Sequence, residues 1–217
     1  MGLALFLAFA CTPMDEYLKI AGEKEIIYPG KIEDVEVKTG KNRLLVEGHC
    51  YSDAKITACR IYWALGSEYV EVPVDMSSGP FTVSREIELP EDTYNFDIYT
   101  YDADGNRSIP VNVSSQTYGD KYIASLTSRI VKSFTFDGSK GVMTWFNIDV
   151  TAGAYKTEVT YRTSHGEDRT VEISVKDTTL ELPDYDGSTP VSYTTVYKPD
   201  ETCLDDFRTE ARTASAD

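Results

Sequence analysis

The residue types that could do chemistry are few and scattered. Two histidines occur, His49 and His165. They fall in different halves of the chain, so neither a histidine-rich metal site nor a shared proton relay is expected. His165 lies in Ser164-His165-Gly166-Glu167, which reads as the solvated tip of a turn. The 36 acidic residues offer many carboxylates, but a glycosidase-type pair must converge in a cleft. Here the acids sit in turn-forming stretches and at outward strand positions. Asp102-Ala103-Asp104-Gly105-Asn106 has the flavour of a calcium loop, yet its glycine comes too early and the closing glutamate is missing. A hairpin turn accounts for it, and Asp184-Tyr185-Asp186-Gly187 reads the same way. With no Gly-x-Ser-x-Gly, phosphate-binding loop or His-Glu-x-x-His motif, the expectation is a protein that is not an enzyme and needs no cofactor or metal.

Tyrosine is the side chain that stands out, with 15 copies. Between Tyr94 and Tyr101 apolar and polar residues alternate, which puts Tyr94, Phe96, Ile98 and Thr100 on one face of a strand. Asp97, Tyr99 and Tyr101 then share the other. Tyr62 and Tyr69 are expected on that same outer sheet. A row of exposed rings suits sugar C–H faces or a docking domain, so Tyr62, Tyr69, Tyr99 and Tyr101 are the candidate ligand-binding residues. Strand propensity alone also favours tyrosine.

The elements that would position this row are short strands separated by turns. In the first half Val35 and Val37 open a strand, and Gly40-Lys41-Asn42 turns it. Leu44, Val46 and Gly48 alternate along the second. Cys59, Ile61 and Trp63 share a face of the third, and Tyr69–Val72 forms a fourth. Phe81, Val83, Glu86 and Ile87 suggest a fifth with a bulge. Leu89-Pro90 leading to Tyr94 resembles a tyrosine corner, whose hydroxyl bonds back to nearby backbone. The rhythm breaks at Gln116–Ser128, where Lys121–Leu126 suits one helical turn. It then restarts with Arg129–Phe136, Gly141–Ile148, Lys156–Arg162, Thr170–Val175, Thr179–Leu182, Val191–Tyr197 and Cys203–Thr209. The fold expected is all-β, two tandem immunoglobulin/fibronectin type III-like sandwiches. The expected boundaries are domain 1 at 31–117, a linker at 118–128, domain 2 at 129–212 and a tail at 213–217. Trp145 suits a buried core position on the second strand of domain 2. Gly48 stands at the matching place in domain 1, whose core Trp63 is expected to fill.

A net charge of −15 argues against nucleic acid and against electrostatic adsorption to an anionic membrane. Of Cys50, Cys59 and Cys203 at least one must be a free thiol. Cys50 and Cys59 suit either a disulfide or two buried thiols.

Gly2–Ala10 is an unbroken apolar run, too short to span a bilayer but suited to a signal peptide at 1–10. Its ending, Ala8-Phe9-Ala10-Cys11, resembles a bacterial lipobox, which makes Cys11 the expected lipidation site at the head of a tether at 11–30. No Lys or Arg precedes the run, and Ala8 replaces the commoner leucine. Asp15 and Glu16 resemble the acidic export signal of Bacteroidetes surface lipoproteins. Further along, Ile27-Tyr28-Pro29-Gly30-Lys31, Cys59-Arg60-Ile61-Tyr62-Trp63, Tyr99-Thr100-Tyr101-Asp102, Tyr118-Gly119-Asp120 and Thr195-Val196-Tyr197-Lys198-Pro199 are similar to a Bacteroidetes family of surface lipoproteins of unknown function, associated with polysaccharide-utilisation systems. The resemblance implies a lipid-anchored protein of the outer membrane, exposed at the cell surface. Its partners would be polysaccharide or neighbouring glycan-uptake proteins, with the chain as a glycan-binding module or spacer. The other reading is an adhesion or envelope-assembly protein that binds a protein partner through its sandwich surface.

Overall fold

The computed structural model describes residues 28–51 and 53–217. The expected signal peptide, Cys11 and most of the tether lie outside the described residues. From Glu33 onward the chain folds as the alternating pattern requires. In the first half, β1 (Glu33–Gly40), β2 (Arg43–Cys50) and β5 (Phe81–Glu88) form one antiparallel sheet in the order β1-β2-β5. Facing it, β3 (Ile56–Trp63), β4 (Glu68–Pro73), β6 (Thr93–Asp102) and β7 (Val111–Gln116) form a second in the order β4-β3-β6-β7. The second half repeats the plan. There β8 (Val131–Phe136), β9 (Lys140–Trp145) and β12 (Thr179–Pro183) are ordered β12-β9-β8. Opposite lie β10 (Ala154–Arg162), β11 (Asp168–Ser174) and β13 (Val191–Tyr197), ordered β11-β10-β13. Two short strands, β14 (Phe207–Arg208) and β15 (Arg212–Ala214), pair successively with β13. Three strands against four, with the fourth strand kept beside the third, is the fibronectin type III-like sandwich. The chain holds two of them.

Each core comes from the inward phase of its strands. Leu44 and Val46 on β2, Cys59 and Ile61 on β3 and Phe96 and Ile98 on β6 are fully buried in the first domain. Met143, Trp145, Val159, Tyr161 and Leu182 do the same in the second. The expected tyrosine corner is present, with the Tyr94 hydroxyl donating to the Pro90 carbonyl at 2.9 Å.

Three expectations need correction. The β2–β5 register runs unbroken from Arg43↔Glu88 to Cys50↔Phe81, so β5 has no bulge. Phe81, Val83 and Ile87 keep a single phase, and the apparent slip arises because Arg85 takes the intervening inward-phase position and reaches solvent. The space at Gly48 is filled by Ile32 rather than by Trp63. A Cβ on Gly48 would lie 2.7 Å from Ile32 Cδ1, and Ile32 is buried. Trp63 is half-buried, packs edge-on against Phe96 and donates its indole N–H to Glu68. The expected strand at Cys203–Thr209 shortens to Phe207–Arg208, because Thr209 bonds β13 partly through its side chain. Thr195 N donates to the Thr209 hydroxyl and Thr209 N to the Thr195 carbonyl. Pairing then resumes through Thr213 and Ala214, residues placed in the tail by sequence.

The linker is packed into a joint. Helix α1 (Asp120–Ser125) is capped by the Glu91 carboxylate, which accepts from Lys121 N and Tyr122 N at 2.7 Å each. Tyr118, Tyr122 and Phe207 stack together with centroids 4.7–5.8 Å apart. Across the joint, Asp205 of domain 2 accepts from Arg43 Nη2 at 2.7 Å, Arg43 Nε at 3.0 Å and Lys41 N at 2.8 Å. Thr39 donates to Asp200 at 2.8 Å and accepts from Leu204 N at 2.7 Å. The joint packs closely on Gly40, where a Cβ would lie 2.8 Å from Asp205 Oδ2 and 3.2 Å from the Arg43 carbonyl oxygen.

Candidate functional site

The four tyrosines singled out by their spacing come together on the outer face of the β4-β3-β6-β7 sheet. Cross-strand register does this directly. Tyr62 on β3 pairs with Tyr69 on β4 and with Asp97 on β6, Arg60 pairs with Glu71 and Tyr99, and Ala58 pairs with Tyr101. The Tyr62 ring lies 5.0 Å from Tyr69 at a 33° tilt and 5.8 Å from Tyr99 edge-on. The Tyr62 and Tyr101 hydroxyls are 3.0 Å apart. Tilted and edge-to-face contacts are the arrangements the ring quadrupole favours, so the cluster is stiff as well as aromatic.

Two arginines complete the face, and the sequence reading passed over both. The Arg60 guanidinium sits 4.4 Å from the Tyr101 ring centroid and 5.3 Å from that of Tyr69. Arg107 sits 4.8 Å from that of Tyr99. A period-two count from Tyr62 reaches Arg60. Closing the Asp102–Asn106 hairpin brings Arg107 back beside Tyr101, where the two form an isolated bridge. These were the available signals.

The arginines change what the tyrosines can do. Tyr62, Tyr99 and Tyr101 are half-buried, and Tyr99 and Tyr101 each carry a guanidinium. Tyr69, 52% exposed, keeps the most open ring. The chemistry presented to solvent is therefore one half-exposed ring, phenolic hydroxyls and guanidinium edges held on aromatic supports. Arg60 also donates to Glu71 at 2.6 Å, and that hydrogen bond holds its charge more firmly than usual. Burial, reinforced by the Tyr62 hydroxyl, raises the Tyr101 pKa, so its phenol stays protonated.

The corresponding face of domain 2 is built differently. On β10 and β11, Lys156 pairs with Glu172 and Glu158 at 2.7 and 3.2 Å, and Arg162 pairs with Asp168 at 3.0 Å. Arg208 closes on Glu158 at 3.0 Å, and Thr160 meets Thr170 at 2.9 Å. Here charges neutralise one another and no tyrosine row lies on the sheet.

The remaining candidates are taken up by structure. Asp102 accepts from Asp104 N, Asn106 N and Asn106 Nδ2. Asp186 accepts from Ser188 N, Thr189 N and the Thr189 hydroxyl. Both carboxylates thus close their own turns. His165 is exposed in its hairpin, and His49 is half-buried and stacks on Tyr51 with centroids 5.4 Å apart. Cys50, Cys59 and Cys203 are buried free thiols. Among the described residues no group of His, Cys, Asp or Glu has metal-site geometry. No described helix is long and apolar enough to cross a membrane.

A family model described as a domain of unknown function, DUF4998, matches residues 11–207. No curated protein matches the sequence. Among solved structures, a two-domain fibronectin type III segment of chicken tenascin is 13% identical, with 85% of this chain and 98% of that one covered at a TM-score of 0.33. The FN1–FN3 domains of chicken CNTN1 are 11% identical, covering 88% of this chain and 65% of that one at 0.44. The chicken interferon gamma receptor alpha chain is 11% identical, covering 86% and 98% at 0.33.

Proposed function

The chain belongs to the DUF4998 family, and we propose that it is a non-enzymatic surface lipoprotein whose first sandwich binds glycan while the second holds it in place. The observation that carries this reading is the contrast between two faces of the same design. Domain 1 gathers Tyr62, Tyr69, Tyr99, Tyr101, Arg60 and Arg107 on its four-stranded sheet. Domain 2 covers the matching sheet with paired charges and threonines. Folding needs only one side of such a sheet, so an aromatic-arginine surface on the outer side of one copy alone is best explained by recognition. Residues of these two types are also the ones most enriched where surfaces bind.

The spacer role is supported by the joint, where Asp205, Arg43, Thr39 and Asp200 tie the sandwiches across a packed linker. The anchor and surface location are carried by sequence alone, through the apolar run before Cys11 and the acids after it. Affinity electrophoresis of the full chain through gels containing individual polysaccharides tests the binding role. Retardation by at least one polysaccharide, abolished by Tyr69→Ala and kept by Thr160→Ala on the domain 2 face, is the expected result. Loss in the second variant and not the first would place binding elsewhere and overturn the assignment. For the anchor, Cys11→Ser should release the protein from membranes, and retention there would refute lipidation.

A further inference from the structure

We infer that the ligand of this face is an acidic glycan, a polysaccharide bearing carboxylate or sulfate groups, with Arg107 as the residue that selects for the acid. The inference rests on the glycan-binding reading above. Its starting point is which charged groups on the face are already engaged by neighbours. Arg60 is bonded to Glu71 at 2.6 Å. Asp97 accepts from Asn112 at 2.6 Å, and Asp102 is taken up by its own turn. Arg107 is exposed and has no ion-pair partner among the described residues. It is nonetheless held, because its guanidinium lies over the Tyr99 ring at 4.8 Å. Seated over the ring with its N–H groups unbonded among the described residues, the guanidinium can grip carboxylate or sulfate oxygens in pairs.

The rings argue the same way. A neutral sugar stacks best on open aromatic faces, and here three of the four rings have a guanidinium within 5.3 Å of their centroids. Tyr69, the most exposed of the four, ends the stripe on one side, and Arg107 ends the other. The path from Tyr69 through Tyr62 and Tyr99 to Arg107 crosses three neighbouring strands in steps of 5.0, 5.8 and 4.8 Å. A short oligosaccharide laid along it would meet a stacking ring, then hydroxyls, then a cation. The chain's charge of −15 opposes an anionic ligand only at long range. At physiological salt that repulsion decays over roughly 8 Å, and the unpaired guanidinium is the group that an acid meets at contact.

The test compares oligogalacturonate with the same oligosaccharide after carboxyl reduction, alongside a sulfated galactan and its desulfated form, by calorimetric titration of the full chain. At least one acidic member should bind about tenfold or more tighter than its neutral counterpart, the ratio expected of one charge-assisted contact. Arg107→Gln should remove that ratio, bringing the acidic form down to the affinity of its neutral counterpart, and Tyr69→Ala should weaken both forms. Unchanged thermal unfolding of Arg107→Gln serves as the folding control. Equal affinity for acidic and neutral forms would overturn the acidic class and leave the glycan reading standing. Binding of neither form in both pairs would overturn the two together.

Discussion

Replacing Asp205 by alanine should loosen the joint between the sandwiches by a predictable amount. Its carboxylate accepts two bonds from Arg43 and one from Lys41 N, at 2.7, 3.0 and 2.8 Å. Fully exposed ion pairs are worth about 0.2–1 kcal/mol, and hydrogen bonds to charged groups about 1.5–3 kcal/mol. The Arg43 and Asp205 side chains are 33% and 26% exposed, which places the pair between these limits. Arg43 also keeps a contact to Glu86 at 3.2 Å after the change, so it is not left bare. A loss of about 1–2 kcal/mol follows, roughly a tenfold shift toward the undocked arrangement. If docking and unfolding remain coupled, the melting temperature should fall by roughly 3–6 °C, the scale for a chain of this size. Small-angle scattering together with calorimetry reads both effects. The wild type should scatter as one rigid particle, and Asp205→Ala should show a larger, broader radius. Asp205→Asn, which keeps an acceptor for Lys41 N, should fall between. A variant identical to wild type in scattering and melting would refute the joint as a clamp.

The same carboxylate sets a pH dependence. The hydrogen bonds from Arg43 hold the Asp205 pKa below its ordinary value, so its contribution is complete above the usual carboxylate range and disappears as pH falls through the depressed value. The stability gap between wild type and Asp205→Ala should therefore be constant near neutrality and close below about pH 4 in calorimetry. Arg129, 1% exposed, donates to the carbonyls of Phe146, Ser174 and Asp177 at 3.1, 3.3 and 2.6 Å. Arg129→Met removes a donor from all three, with Ser174 keeping its bond from Asp177 N at 3.1 Å, and should destabilise domain 2 by about 2–4 kcal/mol in denaturant unfolding, with relief of the buried charge offsetting part of the loss. Burial raises the Cys50 thiol and pushes Cys59 up to about 12. Neither should react with iodoacetamide at pH 8 until the chain is unfolded, and mass spectrometry of the labelled protein checks this.

Much of the fold was legible because its signals are local. Alternation along Leu44-Val46 and Phe96-Ile98 assigns faces without any knowledge of partners. The Leu89-Pro90…Tyr94 spacing announced a tyrosine corner that the Tyr94–Pro90 bond bears out. What escaped depends on contacts between distant residues. That Ile32, ahead of the first strand, fills the space at Gly48 is a matter of tertiary packing. The division of the last strand depends on one Thr209 hydroxyl standing in for backbone. Of the site, period-two spacing picked out the four tyrosines, and strand register then brought them together. The arginines were missed because a charge on an outer strand position reads as ordinary solvated surface until the ring beneath it is known. The joint was missed for a related reason. Asp200 and Asp205 lie more than 160 positions along the chain from their partners Thr39 and Arg43, and no local pattern connects them.

The central claim, that recognition belongs to the outer sheet of the first sandwich, is most directly tested by an NMR titration of the isotope-labelled full chain with acidic oligosaccharide. Chemical-shift changes should cluster on β3, β4 and β6 around Arg60, Tyr62, Tyr69, Tyr99 and Arg107, leaving the face of β10 and β11 unmoved. Saturable shifts centred on domain 2, with the tyrosine-arginine face silent, would contradict it.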